Sequence, residues 1–153
     1  MLVIDQNPKG EQYSKLIDLA FEICDEFHLV LRKNMGSLKS FDPFLKKLES
    51  SLKEMKEQSE WASTILLGNN QTAKVYYYYT DENAKSILKE FANSLYDWEQ
   101  PNLPEDLSFF KNGEEWLVTS SHEEESYIDT ENDTEIQRIL SIPELKVHME
   151  KWD

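Results

Sequence analysis

The sequence predicts an α+β fold, a single domain over residues 1–153 whose mostly antiparallel sheet carries helices packed on it. Three observations predict it. First, Asn112-Gly113 separates two strand-like runs, 107–111 and 114–120. Both central positions of a type I′ turn need positive φ, which Asn-Gly tolerates best, so this is a hairpin. Second, residues 73–80 read AKVYYYYT, a β-rich run that sends Tyr76 and Tyr78 to one face and Tyr77 and Tyr79 to the other. Third, helical and strand patterns are separated by short turns rather than by repeated crossover helices, which favours meander-like pairing.

In chain order, residues 1–8 read as a short edge strand or a loose terminus. Over 11–26, Tyr13, Leu16, Ile17, Ala20, Phe21 and Cys24 recur at helical spacing. Phe27, Leu29 and Leu31 then alternate with His28, Val30 and Arg32, the pattern of a strand. Asp42-Pro43 is a helix start, and Phe44, Leu45, Leu48, Leu52 and Met55 carry an apolar stripe to about Gln58. Lys46, Lys47, Lys53 and Lys56 form its solvated face. A strand is expected over 61–68, with Ile65, Leu66 and Leu67 as its body, followed by a turn at 68–71. Asp81 opens a helix expected to reach about Trp98, with Ala84, Ile87, Leu88, Phe91, Ala92 and Leu95 on its buried face. Pro101 and Pro104 exclude a regular helix through 100–105. Beyond the hairpin and a turn at 123–125, residues 126–128 suggest a short strand. Ile136, Ile139 and Leu140 mark a short helix. Ser141-x-x-Glu144 with Pro143 reads as a capping box opening a last helix that ends near Trp152.

Composition narrows the class. At 39% hydrophobic and 12% aromatic the chain is too apolar for disorder. No apolar run approaches the roughly 20 residues that span a bilayer. The segment Met1-Leu2-Val3-Ile4-Asp5 lacks the basic region and apolar core of a signal peptide. Cys24 is the only cysteine, so no intramolecular disulfide forms, and its place on an apolar stripe reads as a small buried hydrophobe. These features lead to the expectation of a cytoplasmic protein.

The charge is uneven. Residues 1–80 hold 11 acids and 10 bases, a net of −1, whereas residues 81–153 hold 19 acids and 6 bases, a net of −13. Such a field repels nucleic acid and anionic membrane and attracts basic proteins or cations.

Motifs for chemistry are sparse. The four glycines are isolated, so there is no phosphate loop, and there is neither a cysteine pair for zinc nor a G-x-S-x-G elbow. No cofactor is expected. His122-Glu123-Glu124-Glu125 is the one cluster of metal-ligand types. A hairpin in register brings the start of one arm near the end of the other, and so Glu105 and Asp106 near His122 and Glu123. Two readings follow. One is a metal-binding protein or hydrolase centred on Glu105, Asp106, His122 and Glu123. The leading one is a non-enzymatic protein-binding module, whose surface of Glu105, Asp106, Glu114, Glu115, His122, Glu123, Glu124 and Glu125 meets a basic partner. The first needs four residues to converge in a cleft, while the second needs only an exposed acidic face.

Leu95-Tyr96-Asp97-Trp98, Leu103-Pro104-Glu105-Asp106-Leu107 and Trp116 with Ser121-His122-Glu123 resemble a pattern in small, acidic, uncharacterised bacterial proteins. Some of these resemble immunity proteins that neutralise toxins. The resemblance covers about residues 60–128. It implies a bacterial cytoplasmic origin and a protein partner, and it brings no catalytic residue.

Overall fold

The computed structural model describes residues 1–68 and 71–151. Among them are strands β1 (Leu2–Ile4), β2 (Glu26–Arg32), β3 (Leu52–Gln58), β4 (Glu60–Trp61), β5 (Thr64–Ile65), β6 (Ala73–Tyr79), β7 (Glu105–Lys111), β8 (Glu114–Ser120), β9 (Glu125–Ile128) and β10 (Val147–Met149). The α-helices are α1 (Glu11–Ile23), α2 (Asp42–Leu48), α3 (Glu82–Phe91) and α4 (Asp133–Leu140). Eight strands form one sheet in the order β10-β1-β9-β8-β7-β2-β6-β3, antiparallel at each pairing. The fold is α+β, as the sequence predicts.

Alternation along β2 and β6 divides their side chains between two cores. Phe27, Leu29 and Tyr78 join a large cluster with Leu16, Ile17 and Ala20 of α1, Phe44 and Leu48 of α2, Ile87 and Leu88 of α3, and Ile139 of α4. The helices therefore share one face of the sheet. Val30, Ala73 and Val75 belong to a second cluster with Trp61, against which Leu66 and Tyr77 pack. A small hairpin, β4–β5, is the cover on that side. Asp81 caps α3 by accepting from the Ala84 N–H at 2.9 Å, and Asn132 caps α4 by accepting from the Glu135 N–H at 3.0 Å.

Five expectations are corrected. The helix expected to run from Asp42 to about Gln58 stops at Leu48 and, after one 3₁₀ turn, becomes β3. A bulge between Leu52 and Glu54 sets both Leu52 and Met55 opposite Tyr78 and Tyr76, on the helix side. Residues three apart then share a face in a strand, and that spacing imitates a helical stripe. The last helix is also absent. Glu144 has φ +64, incompatible with a right-handed helix, and the chain turns back to pair β10 with β1. Trp152 lies outside the described residues. The helix expected to reach Trp98 ends at Phe91, where Ala92 is extended and Ser94 caps a separate 3₁₀ turn at Leu95–Asp97. The strand expected over 61–68 is the short β4–β5 hairpin, with Leu66 tucked under it and Leu67 92% exposed. Finally, β1 is not an edge, because β10 lies outside it.

No helix among the described residues is long and apolar enough to cross a membrane.

Candidate functional site

Asn112 (φ 53) and Gly113 (φ 83) take the positive-φ positions at the tip between β7 and β8, and the two arms pair antiparallel. The hairpin does bring its far ends together. His122 Nε2 makes a short contact with Glu105 Oε1, and its Nδ1 lies 2.7 Å from Glu99 Oε1. Glu105 is fully buried. Its Oε1 also accepts from the Gln100 N–H at 3.3 Å, and its Oε2 lies 3.3 Å from Arg32 Nε. At that last distance the charges attract, but the orientation makes no hydrogen bond. Burial pushes the Glu105 carboxyl above its usual range, and the neighbouring Asp106 pushes the same way. His122 and Arg32 pull it down without cancelling the rise.

Asp106 adopts φ +56 and is buried, but it serves a different network. Its Oδ2 accepts from Trp61 Nε1 at 2.9 Å and from Ser63 Oγ at 3.3 Å, and its Oδ1 accepts from the Ser121 N–H at 3.0 Å. Asp106 thus anchors the β4–β5 hairpin, while the Arg32 guanidinium stacks 5.2 Å from the Trp61 ring. Gln100 adds a two-point clamp on the Arg32 backbone, at 2.7 Å and 3.1 Å. Glu123, Glu124 and Glu125 are exposed at the turn after β8. The cluster therefore splits. Glu105 and His122 meet, Asp106 faces the covering hairpin, and the three glutamates face solvent. Both ring nitrogens of His122 are already occupied by carboxylate oxygens, Nδ1 by Glu99 and Nε2 by Glu105. Among the described residues no group of three or more His, Cys, Asp or Glu side chains is arranged to hold a metal ion.

The sequence reading missed Glu99, Gln100 and Arg32. Gln100 and Glu99 precede Pro101 in a loop without periodicity, and Arg32 arrives through pairing of β2 with β7. No local pattern could have joined them.

At the opposite end of the hairpin an open groove of about 1060 Å³ is lined by Glu114, Glu115, Asp129, Glu131, Asn132 and Glu135, among others. Glu135 is satisfied. It accepts from Lys111 Nζ at 2.7 Å and from Trp116 Nε1 and Thr130 Oγ1 at 2.8 Å each. Burial raises its carboxyl, but these donors outweigh burial and hold it below the usual range. Glu114, Glu115, Asp129 and Glu131 stay exposed. Partial burial raises the Glu115 carboxyl, the 3.4 Å hydrogen bond from Tyr127 opposes this, and the nearby Asp129 charge adds to the rise.

No family model, curated protein or solved structure matches the chain.

Proposed function

We propose that the protein is a non-enzymatic binding module, of the immunity-protein kind, that occludes a basic partner with its acidic C-terminal half. The observation that carries this reading is the groove at the hairpin tip, which Glu114, Glu115, Asp129 and Glu131 line without an ion-pair partner among the described residues, in contrast to Glu135. Burial is the main cause that raises the Glu115 carboxyl, with the Asp129 charge adding to it, and a lysine or arginine entering the groove would favour both carboxylates in their charged form. Glu123, Glu124 and Glu125, at the other end of β8, extend the field that steers an incoming cation. The alternative, a metal-binding protein or hydrolase centred on Glu105, Asp106, His122 and Glu123, is less well supported, because His122 is closed by carboxylates and Asp106 is committed to Trp61.

The test is calorimetric titration of the protein with an arginine- and lysine-rich peptide, at low and at physiological salt. Binding should weaken as salt screens the field over about 10 Å at 0.1 M. It should weaken further in Glu114→Lys/Glu115→Lys than in a control reversal such as Glu11→Lys. Binding that ignores both salt and the groove substitutions would defeat the reading.

A further inference from the structure

We propose that two copies of this chain associate edge to edge through β3, joining their sheets across a two-fold axis. β3 is the last strand at one end of the sheet, seven residues long with six of them paired to β6, and among the described residues no strand pairs with its other side. Such an edge presents free backbone N–H and C=O groups that can accept another strand. Edge strands are commonly guarded by charges that repel a second copy. The charges of β3 do the reverse. In an antiparallel pairing centred on Met55, Glu54 falls opposite Lys56 of the second copy, and Lys56 opposite its Glu54. One step further out, Lys53, at the bulge, comes level with Glu57 of the second copy, but each already pairs within its own chain, with Glu26 at 2.7 Å and with Lys33 at 2.9 Å, so the recognition rests on Glu54 and Lys56. Opposite charges directly across an antiparallel pair stabilise it, and a two-fold interface requires this self-complementarity.

Two further features favour a second copy as the occupant. Met55 and Leu52 are 41% and 37% exposed on the helix side of this edge, and pairing places Met55 against its own symmetry mate. The charge distribution also selects this edge. β3 belongs to the half of the chain with a net charge of −1, while β7, β8, β9 and β10, from the half with −13, occupy the other end of the sheet. A dimer through β3 holds the two acidic ends far apart. The opposite edge, β10, is three residues long and would bring like fields together. Within one chain Glu54 and Lys56 already lie 3.3 Å apart, but both are well exposed and the pair holds weakly, so either is free to bond across the axis.

Sedimentation equilibrium of the full chain, over a concentration series reaching its solubility limit, tests this. The expected result is a reversible dimer. Glu54→Lys or Lys56→Glu alone sets like charges opposite one another twice and should raise the dimer dissociation constant about tenfold or more. Glu54→Lys/Lys56→Glu together restore the pairs and should restore the dimer. A monomer throughout the series, singles that dimerise like the parent, or a double variant that stays monomeric would each overturn the proposal. Met55→Cys gives an independent check, since Cys24 is buried. A short bismaleimide should link two copies through residue 55, and absence of that product at concentrations where the chain is dimeric would also overturn it.

Discussion

The two faces of the sheet are built on different principles. On the helix side, four helices press an almost wholly apolar set onto the strands, and the aromatic rings of Phe21, Phe27, Tyr78 and Phe109 pack at centroid distances of 5.2–5.7 Å. On the other side His28, Ser108, Glu105 and Asp106 are buried together with a small apolar patch, under a hairpin of very short strands. The contrast teaches that the helix side holds the chain folded. The other side stores polar groups whose burial makes the fold sensitive to pH and to the seating of β4–β5.

The largest effect should come from the helix side. Leu88→Ala removes a fully buried side chain and should cost about 2–5 kcal/mol in chemical denaturation. Phe91→Ala should cost less than a buried phenylalanine would, because Phe91 is only half-buried. Equal large losses from both would mean that the helix is seated more deeply than described.

The next effect belongs to His28. It is fully buried between Tyr77 and Phe110, neither ring nitrogen makes a well-formed hydrogen bond, and burial, opposed only by a contact with the Asp106 backbone, pushes its pKa down to about 3. In the unfolded chain it titrates near about 6.5. The unfolded state therefore takes up a proton that the folded state refuses. Stability should be full above pH ~6.5 and fall by about 1.4 kcal/mol per pH unit as pH drops toward about 3. His28→Leu should flatten this slope between mildly acidic and neutral pH, and an unchanged slope would remove His28 from the account.

A smaller and local effect is expected at the cover. Trp61→Phe deletes the donor to Asp106 and should cost about 1–3 kcal/mol. Amide exchange should accelerate over residues 59–66, with α1 and α3 unaffected. Acceleration everywhere would mean that the two faces open as one unit. The smallest effect is at β10. His148 bridges Asp5 at 2.5 Å and Glu150 at 2.8 Å, and these hydrogen bonds hold its pKa above the ordinary value. The bridge should be complete below pH ~6.5 and lost as pH rises through the elevated value. Once the intrinsic rise of exchange with pH is divided out, protection of the β10 amides should fall over that rise in the parent, and not in His148→Ala.

Much of the helix side was legible in the sequence. The stripe from Tyr13 to Cys24, the Asp81 cap with Ile87 and Leu88, and the tyrosine alternation all follow from local periodicity. The hairpin followed from Asn112-Gly113, and with it the meeting of Glu105 and His122. What failed was set by distant partners or by a single backbone angle. The bulge beside Lys53 gave β3 a helical disguise, and the positive φ of Glu144 turned an expected helix into a strand. The other face was hardly legible, because Arg32, Trp61, Gln100 and Asp106 converge from four separate stretches.

The central claim is that the acidic end of the sheet is the working surface. It is tested most directly by following amide resonances of the labelled protein while an arginine- and lysine-rich peptide is added at low salt. Shifts should concentrate at Glu114, Glu115, Asp129 and Glu131, reverse at physiological salt and be absent in Glu114→Lys/Glu115→Lys. Shifts centred instead on β3 and α2, or unchanged by that double substitution, would contradict it.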